Sequence, residues 1–148
     1  MTRPVAYDNL IANGNLKPAA RNPLSIQQYL RVANDTLSAA KITTISPHAQ
    51  YILAYEGIFS VVMAVLEHYE TRPGEGDGHR IIAIQRVAGD LKVDPDEFSA
   101  ITRLHAERNR AVYRSSIPPI NKAQAEAAIS ILGHMYEMAS KLLTGPSV

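Results

Sequence analysis

The chain has 148 residues, the length of one domain able to bury about 70% of its unfolded surface. Its formal charge of +1 excludes a global electrostatic attraction to nucleic acid or to an anionic membrane, so any such affinity requires a local basic patch. The absence of cysteine excludes a disulfide framework, a thiolate nucleophile and cysteine-ligated zinc, and it suits a cytoplasmic protein.

Residues 1–24 are predicted to form an irregular arm, with at most one short turn around Leu10-Ile11. The segment contains no apolar stretch of signal-peptide length. It is interrupted by residues that break regular structure: Pro4, Gly14, Pro18 and Pro23.

Two helices are expected to follow the arm. The first should begin at Ser25, where Ser25 and Gln28 form a capping box, and end near Lys41. The second should have Ser46 as its N-cap and Pro47 at its first helical position.

The second helix, which should extend to about Glu70, is the most apolar element of the sequence. We expect it to pack on two sides, either at the centre of a bundle or also across a dimer interface. Its longest apolar region, Ile58–Leu66, is too short to span a bilayer, so we expect no membrane association.

Glycine and charge dominate the segment Thr71–Gly78, which predicts a flexible surface loop. The glycines resemble a phosphate-binding loop in density only, because no strand precedes them and the lysine and hydroxyl of that motif are missing. Glu75 and Asp77 lack the ligand spacing of a calcium loop. A third helix is expected from His79.

The last two helices begin with clear capping signals. Asp94 and Glu97 form a capping box for a fourth helix, which should end near Arg114, and Asn121 with Gln124 starts the final helix. No segment alternates with period two, so no sheet is expected. The sequence therefore predicts an all-α fold, an antiparallel bundle of four or five helices over residues 25–143, with a C-terminal tail at 144–148.

The fourth helix carries an arginine on its apolar side. Burying an unpaired guanidinium is costly, so Arg108 is expected to be paired or to line a polar cleft. Glu56 and Glu67 of the second helix are candidate partners. The inward stripe, read at helical spacing, is Phe98, Ile101, His105, Arg108 and Val112.

Basic residues crowd the end of the same helix. Arg108, Arg110 and Arg114, with Asn109 and Tyr113 within one turn, form a candidate site in which arginines contact phosphates and the tyrosine stacks on a base. Compensation of the helix dipole is an alternative explanation for Arg110 and Arg114, but not for Arg108.

The histidines do not predict a metal site, because none of the five forms an i, i+4 helical pair or an HExxH pattern. We expect neither a metal nor another cofactor. His105 lies one turn before Arg108 on the same face, and a satisfied core or interface histidine is the commoner explanation for such a residue.

These features resemble the HEPN domain, a family of small helical bundles named for nucleotide binding. The resemblance covers about Ser25 to Leu143 and is closest to small bacterial members with an Arg-Asn-x-x-x-Tyr segment. It depends on Arg108-Asn109 in a late helix before a turn and a final amphipathic helix, on Ala54-Tyr55 in the second helix, and on Gly78-His79 at the start of the third.

The resemblance implies a homodimer in which the motif helices of two subunits face each other across a cleft. In active members the arginine and a histidine four to six residues later cleave RNA without metal. Here Arg108 and Asn109 match, but Tyr113 stands in the place of the histidine. A tyrosine with a pKa of about 10 is a poor general base at neutral pH, which weakens the ribonuclease interpretation.

Three hypotheses follow. The first is a nucleotide- or RNA-binding module with weak or no catalysis, of a toxin–antitoxin or phage-defence system with a cognate antitoxin or partner protein. The second is a metal-independent endoribonuclease toxin in which Arg108 acts with Tyr113 or His105. The third is a structural bundle for dimerisation or protein interaction, in which Arg108 is an ion-paired element of the interface.

Overall fold

The computed structural model describes residues 3–75, 77–113 and 120–144, and excludes the side chains of 77, 104, 107–113 and 144. An all-α helical bundle is confirmed, with one small two-stranded sheet beside it. In chain order the elements are α1 (Val5–Ala12), β1 (Leu16–Pro18), α2 (Pro23–Ala40), α3 (Pro47–His68), β2 (Thr71–Pro73), α4 (Asp77–Asp90), α5 (Pro95–Tyr113) and α6 (Lys122–Thr144).

The helix starts of α3, α5 and α6 follow the predicted capping residues. The hydroxyl of Ser46 accepts a hydrogen bond from the Ala49 amide at 3.1 Å. The capping box before α5 is reciprocal, with the Glu97 amide 2.9 Å from the Asp94 carboxylate and the Asp94 amide 3.3 Å from the Glu97 carboxylate. Asn121 caps α6 in the same way.

The start of α2 was predicted incorrectly. The helix begins at Pro23, and the side chain of Asn22 accepts hydrogen bonds from the amides of Leu24 and Ser25. Asn22-Pro23 combines a preferred N-cap residue with a proline at the first helical position, which is a stronger start signal than Ser25 alone.

Helix α3 is the centre of the bundle. It packs against α2, α6, α4 and α5, and ten of its 22 residues are buried. Among the described helices it alone is long and apolar enough to cross a membrane, but more than half of its most apolar stretch is buried inside the protein. That burial is consistent with the core helix of a soluble protein.

Gly57 allows α2 and α6 to approach α3 closely. A Cβ atom at this position would lie 2.5 Å from the Thr36 hydroxyl oxygen on α2 and 2.6 Å from a methyl carbon of Leu132 on α6. Both distances are far shorter than a van der Waals contact, so with a larger residue the side chains of Thr36 and Leu132, or the helices that carry them, would have to shift.

We expect Gly57→Ala to destabilise the protein by about 1–3 kcal/mol, the usual cost of overpacking a core. Gly133→Ala on α6 is the matched control, because a Cβ there meets nothing within 4 Å in the described structure. Higher helix propensity should make Gly133→Ala stabilising by up to about 1 kcal/mol. Urea unfolding followed by circular dichroism measures both values, and equal effects would contradict the close approach at Gly57.

The N-terminal segment is ordered, contrary to the expectation of an irregular arm. It contains α1 and β1, and β1 pairs antiparallel with β2 through Leu16–Pro73, Lys17–Arg72 and Pro18–Thr71. The expectations of no sheet and of a loop starting at Thr71 were therefore also wrong. Three-residue strands that end in proline are too short for period-two alternation to reveal them.

Tyr7 attaches α1 to the bundle. Its side chain is fully buried, its ring packs 4.9 Å from that of Tyr69, and its hydroxyl donates a 2.6 Å hydrogen bond to the carboxylate of Asp90 on α4. Burial, and then the hydrogen bond and charge of Asp90, raise the pKa of Tyr7 above its ordinary value. The hydroxyl therefore stays protonated and serves as a donor.

Tyr7→Phe is expected to lower the free energy of unfolding by about 1.5–3 kcal/mol, as for a hydrogen bond to a charged group. Tyr69→Phe keeps the ring contact and removes a hydroxyl without a hydrogen-bond partner in the described structure, so it should change stability little. Thermal and urea unfolding of the two variants would show this difference, and similar losses would mean that the Tyr7 hydroxyl contributes nothing specific.

Candidate functional site

A buried hydrogen bond connects α3 to α5. The hydroxyl oxygen of Tyr55 lies 2.8 Å from Nδ1 of His105. Tyr55 has no exposed surface, and His105 is 9% exposed. The bond holds the imidazole in one orientation within the core.

Arg80 of α4 lies beside this pair. Its guanidinium carbon is 3.8 Å from the centre of the Phe59 ring and 5.2 Å from that of Tyr55. Such stacking stabilises a cation by about 0.5–2 kcal/mol and fixes the plane of the guanidinium. The side chain is 27% exposed, so the charge lies at the border of core and solvent.

Glu56 supplies a carboxylate near Arg80. Its Oε2 lies 3.7 Å from a terminal guanidinium nitrogen, a long contact for an ion pair. Nε of Arg80 is buried and has no hydrogen-bond partner in the described structure. We call these five residues the central cluster: Tyr55, Glu56 and Phe59 of α3, Arg80 of α4 and His105 of α5.

The predicted site continues from His105 toward the end of α5. Position 108 follows His105 by three residues, so the helical repeat places the two backbone positions on one side of α5. Residues 108–110 and 113 belong to the helix, but the predicted side chains of this site lie outside the described structure: Arg108, Asn109, Arg110, Tyr113 and Arg114.

The two glutamates proposed as partners of Arg108 differ in position. Glu67 accepts a 3.2 Å hydrogen bond from the backbone amide of Asn22 and so supports the start of α2. Glu56 belongs to the central cluster, where its carboxylate lies 3.7 Å from the guanidinium of Arg80.

The other histidines serve separate parts of the bundle. Nδ1 of His134 on α6 lies 3.1 Å from the carboxylate of Glu97, at the start of α5. Burial, followed by the charge of Arg21, lowers the pKa of His68 below its ordinary value. Among the residues that the structure describes, no three histidine or acidic side chains lie close enough together to hold a metal ion.

Arg80 was not predicted as a site residue, although its spacing to buried apolar residues resembles that of Arg108. Arg80 precedes Ile84, Val87 and Leu91 at spacings of four, three and four residues, and these three are buried. Apolar residues on other sides of α4, such as Ile81 and Ile82, obscure the position of Arg80 at the end of the buried stripe. Arg80 thus follows the same spacing rule on α4 that predicts an inward Arg108 on α5.

Comparisons of the chain with known proteins found no relative. No protein-family profile matches the chain, and no curated protein or solved structure does so either.

Tyr55→Phe tests the bond at the centre of the cluster. Because His105 would lose a buried partner, we expect a loss of about 1–3 kcal/mol in stability. Tyr136→Phe, which removes a hydroxyl without a hydrogen bond in the described part of α6, should be nearly neutral. Nitrogen-15 shifts of the His105 ring should change only in Tyr55→Phe, and an unchanged spectrum would contradict the hydrogen bond.

Proposed function

We propose that the protein is a HEPN-like module that binds a nucleotide or an RNA strand beside the central cluster and has weak or no catalytic activity. Arg108, Asn109, Arg110, Tyr113 and Arg114 would contact the ligand from α5. The proposal includes a symmetric homodimer, a bacterial-type cytoplasm and a toxin–antitoxin or phage-defence setting.

The observation that carries the proposal is the position of Arg80. Among the described residues, the guanidinium of Arg80 is stacked on Phe59 and has a long ion-pair contact with Glu56, and it retains solvent access, so it is preorganised for an anion. Phosphate oxygens accept hydrogen bonds from arginine in the same planar geometry as carboxylates. The apolar stripe of α5 predicts an inward Arg108, so that two arginines would approach one ligand.

A metal-independent ribonuclease is the second candidate, and the Tyr55–His105 hydrogen bond favours it because that bond orients an imidazole. The burial of His105 favours binding instead, since a general base needs to reach the proton that it removes. In the proposed role His105 positions α5 against α3 and does not touch the ligand.

The test compares three arginine variants in which the same chemical change is made: Arg108→Gln, Arg80→Gln and Arg31→Gln. Binding of fluorescein-labelled mixed-sequence RNA and of ATP is followed by anisotropy at several salt concentrations. Each of the first two variants should weaken binding about tenfold or more, because hydrogen bonds to charged groups contribute about 1.5–3 kcal/mol. Arg31 is the control and should bind like wild type, because it is exposed on α2 and its side chain donates a hydrogen bond to Gln28 of the same helix.

The salt dependence distinguishes a lost phosphate contact from a general structural effect. Loss of one contact to single-stranded RNA should reduce the slope of log K against log salt by about 0.7. Sedimentation and circular dichroism verify the dimer and the fold of each variant. Wild-type affinity in a folded, dimeric Arg108→Gln protein would contradict the proposal.

Incubation of the same proteins with the RNA pool in EDTA separates the two candidates. The binding proposal expects intact RNA with every variant. Cleavage by wild type that disappears in Arg108→Gln would establish the ribonuclease instead. Loss of dimer or of several kcal/mol of stability in Arg108→Gln, without ligand binding by wild type, would favour the third hypothesis of a structural interface.

A further inference from the structure

A cavity of about 500 Å³ lies between the α2–α3 connection and the first turns of α6. Its volume is within the range of pockets that hold small molecules. It shares no lining residue with the central cluster, so an argument about its ligand does not depend on the proposed function.

The wall formed by the α2–α3 connection is held in place. The side-chain amide of Gln50 on α3 donates hydrogen bonds to the carbonyl oxygens of Ala40, at 2.9 Å, and Ile42, at 3.1 Å. These two bonds fix the path of the chain after α2 ends. A cavity with such a wall is largely formed before a ligand arrives, which reduces the entropic cost of binding.

The lining combines apolar and cationic groups. Ile45, Pro47 and Ile129 provide apolar surface, while Lys41 at the end of α2 and Lys122 at the start of α6 provide two ammonium groups. Glu126 is the one acidic residue among the described lining residues, and its carboxylate is 3.9 Å from the ammonium of Lys122. The lining therefore carries a net positive charge, to which the N-terminal end of α6 adds a partial positive charge.

We propose that this cavity binds a small amphipathic carboxylate. The hydrocarbon part would lie on Ile45, Pro47 and Ile129, and the carboxylate would interact with Lys41 and Lys122. A neutral molecule of the same shape would gain only the apolar contact, and a small inorganic anion would gain only the charge. Affinity should thus require both parts in one molecule.

The experiment titrates the full-length, nitrogen-15-labelled protein with octanoate and, separately, with octanamide, and follows the backbone amide resonances. Octanoate should shift the amides of Thr43, Gln50, Lys122 and Ser130. It should bind more tightly than octanamide, and sodium acetate should produce no comparable shifts.

Variants separate the contribution of charge to octanoate binding from that of apolar contact. Lys41→Gln combined with Lys122→Gln should weaken octanoate binding about fivefold, as expected for two exposed ion pairs, and leave octanamide unchanged. Glu126→Gln should strengthen octanoate binding about twofold. Ser130→Trp, at an exposed position of the lining, should abolish binding of both molecules by filling the cavity.

Lys141→Gln is the matched control, because Lys141 forms the equivalent i, i+4 pair with Glu137 at the other end of α6. It should bind octanoate like wild type. Equal binding of octanoate and octanamide, equal weakening by Lys141→Gln and the double variant, shifts at other amides or no shifts at saturating octanoate would each overturn the proposal.

Discussion

The packing of α3 against four other helices is the constraint on which the rest of the structure depends. A helix in this position contacts other helices on most of its sides, so few of its side chains can turn toward solvent to relieve a poor fit. Its neighbours therefore approach at distances set by the smallest side chain in each contact, and Gly57 sets that distance for α2 and α6.

A central helix also needs partners for any polar group that it carries. The hydroxyl of Tyr55 is fully buried, and the imidazole of His105 on α5 satisfies it. Arg80 approaches the same region from α4 and is accommodated by the ring of Phe59. The central cluster thus stabilises the contacts of α3 with α4 and α5, and it also holds the guanidinium of Arg80 at the border of core and solvent.

The sequence predicted those parts of the fold that depend on local interactions. Ser46, Asp94 and Asn121 cap their helices with groups three residues away, so a short window contains the whole interaction. The strand pair could not be predicted in this way, since β1 contacts β2 across the entire α2–α3 hairpin and each strand has three residues.

In the candidate site, the position of His105 on an apolar stripe was sufficient to predict it. Arg80 also lies at helical spacing from buried apolar residues. It was not predicted because the residues next to it on α4 are apolar as well, so the buried stripe does not stand out in the sequence.

The pairing of β1 with β2 has a consequence for the order in which the molecule assembles. These strands flank the α2–α3 hairpin in the chain, and β2 begins only three residues after α3 ends. The entropic cost of pairing β1 with β2 falls once α2 and α3 have packed together, because the ends of the long connecting segment are then already close. Before that point β1 has no partner strand within reach. We therefore expect the N-terminal segment to dock late, and we expect exchange of its strand amides with solvent to report undocking separately from unfolding of the bundle.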